Sequence, residues 1–284
     1  MRRVPILLLL VSLMGCDPNV DIENIAPNKL LLVTCFISPQ DTIFRAYVFR
    51  ASMIGTTVKE DSAAVKDALV TISDGVDFDT LYLSFTTHPI SGLKSYKYVG
   101  NKKNVMVKTS STYFLNVQTP SGEGIQAVCT IPLEPEIPII TGSQENEDYN
   151  FFVNWTNPAL YKYFILVLDA DGSYPNANGE HELQPSLVED ILFPSDQQVI
   201  DNSYEAVLPY AYIAVNPVLK VTVRNIDEGL FYYFKSYQRY EEWDANNSGN
   251  FFPNFQSMPL LYSNIIGGVG VFGGYNDNTI EVDL

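Results

Sequence analysis

Apolar and polar positions alternate with a period of two through much of the first half of the chain. Lys29–Ile37 (KLLLVTCFI) and Thr42–Phe49 are β-branched or aromatic runs broken by Ser38-Pro39-Gln40-Asp41, a strand–turn–strand pattern. Ala68–Ser73 alternates up to an Asp74-Gly75 turn. Thr80–Phe85, Lys94–Val99, Asn104–Lys108, Tyr113–Thr119 and Ile125–Ile131 continue the series, the last closing at Pro132. Short strands with turn signals roughly every 8–12 residues predict a sandwich or barrel rather than a parallel α/β sheet.

The pattern breaks at Pro132-Leu133-Glu134-Pro135-Glu136-Ile137-Pro138, whose proline density marks a linker between two domains. Beyond it, Ile137–Thr141, Phe151–Trp155 and Tyr161–Leu168 are strand candidates, and Val218–Ile226 (VLKVTVRNI) alternates clearly. Between them lies a weakly periodic insertion, about 170–217, with Gly172, Gly179 and several prolines. A structureless loop of that length is unusual in a compact domain, so partial order is expected. The fold class is therefore all-β in the main, with an N-terminal sandwich over 29–131, the linker over 132–138, and a second sandwich over 139–284.

One helix interrupts the strands. Leu230, Phe234 and Tyr237 recur at helical spacing over about 228–243, with Asp227 and Glu228 suited to its N-terminus and Asn246-Asn247-Ser248-Gly249 to its end. An aromatic stripe at this spacing ordinarily packs into a core. The region carries more aromatics than one buried stripe requires, so Tyr232, Tyr233, Tyr240 and Trp243, with Phe251, Phe252 and Phe255 beyond, are the candidate partner-contact residues.

The first residues change the picture of where such a chain resides. Met1-Arg2-Arg3 precedes an almost unbroken apolar run from Val4 to Met14, the form of a secretory signal and shorter than a spanning helix. Leu13-Met14-Gly15-Cys16 resembles a bacterial lipobox, which implies cleavage after residue 15 and a lipid on Cys16. Loss of Arg2 and Arg3 takes the net charge from −16 to −18. Residues 16–28 then form a polar, acidic tether. It resembles either the surface-export signal of Bacteroidota lipoproteins or a solvated periplasmic linker. Strong acidity argues against nucleic-acid binding and against charge-driven attachment to anionic lipid. The membrane is then reached through the lipid.

Candidate chemistry is sparse. His181-Glu182 lacks a second histidine at metalloprotease spacing, and no G-x-S-x-G elbow occurs. Asp169-Ala170-Asp171-Gly172 is a fragment of a calcium loop, more simply read as a turn after a strand, and Asp74, Asp77 and Asp79 are more simply a solvated acidic turn. Cys35 and Cys129 are either a disulfide, as an exported compartment permits, or two buried free thiols. No catalytic residues, metal ligands or cofactors are expected. Gly267-Gly268-Val269-Gly270 is no phosphate loop. It leads into a short strand over Thr279–Asp283, so glycine is expected there because a strand bulges or crosses another backbone closely.

Resemblances sharpen these expectations. Ala68-x-Val70-x-Ile72-x-Asp74-Gly75, with Thr112-Tyr113-x-Leu115-x-Val117, resembles transthyretin-like or immunoglobulin-like modules. Trp155 followed by Asn157-Pro158 and Tyr163 resembles the start of a fibronectin type III domain. The ending Pro259-Leu260-Leu261-Tyr262-Ser263-Asn264-Ile265, then Gly267-Gly268-x-Gly270-x-Phe272-Gly273, resembles the Bacteroidota outer-membrane lipoprotein family known as domain of unknown function 4249. That resemblance implies a non-catalytic, lipid-anchored outer-membrane protein, an accessory or ligand-capture partner of a TonB-dependent transporter. A structural or adhesive surface module is the alternative, and a cell-surface hydrolase a third.

Overall fold

The computed structural model describes residues 30–50, 60–145, 148–154, 164–175, 181–184, 199–200, 203–208, 215–247 and 261–283. The protein is mainly β. The first strands are β1 (Leu31–Ile37), β2 (Ile43–Arg50), β3 (Leu69–Ser73), β4 (Phe78–Thr87), β5 (Lys94–Asn101), β6 (Thr112–Gln118) and β7 (Gly124–Thr130), with a single helical turn α1 (Glu60–Ala63) before β3. They are followed by β8 (Ile139–Glu145), β9 (Asp148–Asn154), β10 (Phe164–Pro175), β11 (His181–Gln184), β12 (Val199–Ile200), β13 (Ser203–Leu208) and β14 (Val215–Ile226). Helix α2 (Glu228–Asn247) and the long strand β15 (Val269–Asp283) complete the described elements.

The alternation read from the sequence is realised directly. In β6 and β7 every second residue is buried, and Val70, Ile72, Leu115, Val117, Ile125 and Ile131 meet Leu31, Val33 and Ile37 in one core. Eleven strands share a sheet in the order β11-β10-β14-β15-β1-β2-β5-β4-β3-β6-β7, and β12-β13-β9-β8 form a second, antiparallel sheet. The N-terminal set curls on itself. The Gln126 amide donates to Ile266 O at 3.0 Å and the Ile266 amide donates back at 2.8 Å, which brings β7 against the segment leading into β15.

Strand β15 reaches across the boundary expected at 132–138. Its first part, Val269–Gly274, runs parallel to β1, while Tyr275–Asp283 pairs antiparallel with β14. Residues 29–131 therefore do not complete their sheet alone, and Phe272 is buried within the N-terminal core. The proline-rich segment is fastened along the same strands. Asn276 Nδ2 donates to Pro132 O at 3.1 Å, Asn225 Nδ2 to Leu133 O at 2.8 Å, and Asn278 Nδ2 to Pro135 O at 3.1 Å. Three amide side chains thus satisfy carbonyls of a segment whose prolines bring no N–H to a regular ladder.

Two expectations are corrected. Asn104–Lys108 is not a strand. Val105 and Val107 are buried as the alternation requires, but the backbone there bonds to side chains instead of a neighbouring strand. Asp79 accepts from the Val105 amide at 2.9 Å, and the Tyr113 hydroxyl donates to Met106 O at 2.8 Å while accepting from the Lys108 amide at 2.7 Å. Nor does β10 stop in a turn at Asp169–Gly172. It continues to Pro175, opposite β14, with an irregularity between Asp171 and Ser173 that absorbs the glycine. Trp155, Tyr163 and much of the insertion lie outside the described residues.

Candidate functional site

The aromatic helix was the first candidate. Asp227 caps α2 as its sequence indicates: its Oδ1 accepts from the Leu230 amide at 2.7 Å, and its Oδ2 accepts from the Gly274 amide at 2.9 Å. One carboxylate therefore ties the helix start to β15. Burial pushes the Asp227 carboxyl up to about 6, against backbone amides that favour its ionised form. The inner face of α2 lays Leu230, Phe231, Tyr233 and Phe234 on Phe36, Val271 and Tyr275, so Tyr233 belongs to this packing. Gly273 makes the close approach feasible, since a Cβ there would sit 2.8 Å from Leu230 Cβ.

The candidate contact aromatics thus divide. Tyr232 is exposed, its ring tilted against that of Tyr262 with centroids 5.6 Å apart, and the Tyr240 and Trp243 ring centroids lie 6.1 Å apart near the far end of the helix. Phe251, Phe252, Phe255 and Cys16 lie outside the described residues. Cys35 and Cys129 are buried free thiols in the N-terminal core, and burial pushes both well above the ordinary thiol range.

A titratable cluster joins the β1–β2 turn to β15. The Tyr275 hydroxyl donates to Asp41 Oδ1 at 2.9 Å, and the Arg224 guanidinium lies 4.4 Å from the Tyr275 ring while donating twice to Asp277 at 2.7 Å. Lys102 Nζ donates to Ser38 O and Asp41 O at 2.8 and 2.7 Å. Burial raises the Asp41 carboxyl, with the Tyr275 hydroxyl and the Lys102 charge opposing it. These groups bond to one another and to backbone, so the cluster braces the join between β1, β2 and β15.

An open concavity lies elsewhere, on the outer face of β4 and β5. It holds about 540 Å³ and is lined by Val76, Asp77, Phe78, Tyr82, Lys103 and Asn104, among others. Phe78 and Tyr82 are 61% and 71% exposed, and lie four residues apart on one side of β4. A second hollow of about 500 Å³, with Met106, Lys108 and Phe114 in its wall, shares Asp77 and Asn104 with the first. The floor between them is fixed by Asp79, which is buried and accepts from both the Asn104 amide and its side chain as well as from Val105. Asp74 is spent on its own turn, accepting from the Val76 and Asp77 amides. Among the described residues, no group of three or more His, Cys, Asp or Glu is placed to hold a metal ion.

Sequence reasoning singled out the aspartates of this region and passed over Phe78 and Tyr82. The available signal was an aromatic on the polar phase of an alternating strand, where Asp79 and Leu81 occupy the inward phase.

The family model described as a domain of unknown function, DUF4249, matches residues 17–281. The chain belongs to that family. The glycine-rich ending that carried the resemblance has a physical basis in this DUF4249 chain. At Gly270, φ is +117° and a Cβ would fall 2.0 Å from Val33 O, so β15 lies beside β1 only as glycine. No curated protein matches the chain. Among solved structures, the chicken interferon gamma receptor alpha chain is matched at 10% identity over 69% of this chain and 89% of that one. Its TM-score is 0.21.

Proposed function

We propose that the protein is a non-catalytic outer-membrane lipoprotein, anchored through Cys16, that serves as an accessory or ligand-capture partner of a TonB-dependent transporter. The observation that carries this reading is the open trough on β4 and β5. Phe78 and Tyr82 offer apolar ring faces, while Asp77, Asn101, Lys103 and Asn104 surround them with polar groups. The buried carboxylate beneath, Asp79, is saturated by donors and holds a loop rather than a substrate. Such a surface binds extended ligands by stacking and hydrogen bonding without bond-making chemistry. The lipobox-like Leu13–Cys16 supports the anchor, and among the described residues no helix is long and apolar enough to cross a membrane.

The test is a gene deletion complemented with the wild-type chain or with a Phe78→Ala/Tyr82→Ala double variant. The wild type should co-purify with a barrel protein from native membranes and restore uptake of that barrel's ligand. The double variant should still co-purify but restore uptake poorly. Repeated isolation without any barrel counts against the partnership.

The adhesive reading also has an observation behind it. β15 pairs with β1 and with β14, so that one hydrogen-bonded ladder runs through both halves, a build suited to a spacer under tension. Altered adhesion with normal nutrient uptake on deletion would favour that alternative.

A further inference from the structure

The β4–β5 hairpin projects from the core. After Leu81 no residue of β4 is buried, and on β5 burial ends at Tyr96, which lies opposite Phe85; beyond that pair the two strands run on for about 7 Å to Thr87 and Lys94 before the turn. At its end the turn is closed by backbone bonds: the His88 amide donates to Leu93 O at 2.8 Å and the Gly92 amide to His88 O at 3.0 Å. The Ser91 amide adds a bond to His88 Nδ1 at 3.1 Å. This closed turn holds Ile90 at 92% exposure and Leu93 at 67%, with Phe85 exposed just behind them. Single exposed apolar residues are ordinary, but an apolar tip on a hydrogen-bonded projection is not explained by folding.

Charge is segregated at the same place. Residues 80–122 contain no Asp or Glu, but carry Lys94, Lys97, Lys102, Lys103 and Lys108, in a chain with 33 acids and a net charge of −16. Lys94 lies over the Phe85 ring at 4.8 Å, directly behind the tip, and Lys97 pairs across the hairpin with Ser84. The overall charge argues against anionic lipid, yet at physiological salt charges are screened beyond roughly 8 Å. The end of the hairpin therefore meets a surface chiefly through its own lysines, not through the acidic average of the chain.

We propose that the β4–β5 hairpin is a membrane-docking element, with Ile90 and Leu93 entering the interfacial layer of a bilayer and Lys94 and Lys97 meeting its phosphate-bearing headgroups. A lipid surface is favoured over a protein partner by shape and size. The tip is convex and presents a handful of side chains, well short of the roughly 800 Å² per partner of a stable protein interface. Insertion into a fluid interface requires no complementary surface. The inference is independent of the trough and of a lipid on Cys16, since it concerns a second contact with the bilayer.

The experiment uses the full chain carrying Cys16→Ala, so that no lipid is attached, with an added Ile90→Trp reporter. Vesicles of phosphatidylcholine alone are compared with vesicles that also contain phosphatidylglycerol. On the anionic vesicles, fluorescence from position 90 should shift to the blue and be quenched by brominated acyl chains. Leu93→Asp should weaken partitioning at least tenfold, and Lys94→Glu/Lys97→Glu should abolish the preference for anionic vesicles. Circular dichroism should show these exposed-site variants folded. A chain that floats with vesicles while the reporter stays unquenched, partitioning indifferent to all three substitutions, or tip-dependent dimers forming without vesicles would each overturn the proposal.

Discussion

Along the seam between β1 and β15 the backbones approach so closely that position 270 has no room for a Cβ, whereas the β4–β5 hairpin leaves Leu83, Phe85, Ile90 and Leu93 exposed. Both regions are built from the same alternating strands. At the seam, α2 covers the outer face and a carboxylate on Asp227 locks helix to strand. At the hairpin Phe78 and Tyr82 are exposed on the outward phase, while Leu83 and Phe85, on the inward phase of Asp79 and Leu81, run past the edge of the core, which leaves an aromatic trough and an apolar tip. Alternation determines which side chains share a face, but not whether anything covers it.

The comparison is broken most severely at the seam. Gly270→Ala places a methyl 2.0 Å from Val33 O at a positive φ, and neither backbone can yield without parting β1 from β15. A loss of about 4 kcal/mol or more is expected, read as a collapse of the urea midpoint or failure to recover folded protein. An unchanged midpoint would mean that the parallel pairing contributes little.

The Asp227 lock comes next. Its carboxyl is ionised at neutral pH but has a folded value of about 6, above that of an ordinary aspartate. The folded state therefore binds the proton more tightly than the unfolded chain, and this group's contribution to stability declines as pH rises from about 4 to about 6. Asp227→Asn keeps an acceptor for the helix cap but removes the titration. The drop across that window, on the order of 3 kcal/mol in the wild type, should flatten in urea titrations at a series of pH values. Asp227→Ala should cost about 2 kcal/mol at neutral pH by leaving the Leu230 and Gly274 amides without their acceptor.

How much was legible follows from where the backbone bonds go. In β6 and β7 they go to neighbouring strands, so alternation alone located them. In 104–108 the same alternation is present, but Asp79 and Tyr113 side chains take the bonds, and a period-two pattern does not distinguish these cases. Helix α2 announced itself through its stripe and Asp227. β15 did not, because glycines lack the side chains that would show a phase, and because its first partner, β1, stands more than two hundred residues away in sequence. The glycines were nonetheless read for the right reason, as a close backbone crossing. Of the candidate site, the aspartates were visible by type, whereas Phe78 and Tyr82 become a surface only once β4 and β5 form a concave face.

The base of the hairpin gives a comparable effect of different origin. Asp79→Ala orphans the Val105 amide and releases the Asn104 backbone and side chain together, so a cost of about 2 kcal/mol is expected from equilibrium unfolding. Amide hydrogen exchange should accelerate first at Asn104 and Val105, since their donors lose the acceptor. An effect confined to distant β1 or β15 amides would contradict the assignment of Asp79 as the anchor of this loop.

The smallest effect is expected where exposure is greatest, and it separates folding from function. Ile90 is 92% and Tyr82 71% exposed, so truncating either removes almost no apolar area from the interior. Ile90→Ser and Tyr82→Ala should each shift unfolding free energy by no more than about 0.5 kcal/mol. A buried residue of the same type on an inward phase, such as Ile72, should cost about 3 kcal/mol when changed to Ala. If Ile90→Ser destabilised the chain as much as Ile72→Ala, the tip would belong to the core and its exposure would need no external partner. A near-zero value leaves the apolar tip without a folding role, which is the condition that a docking element must meet.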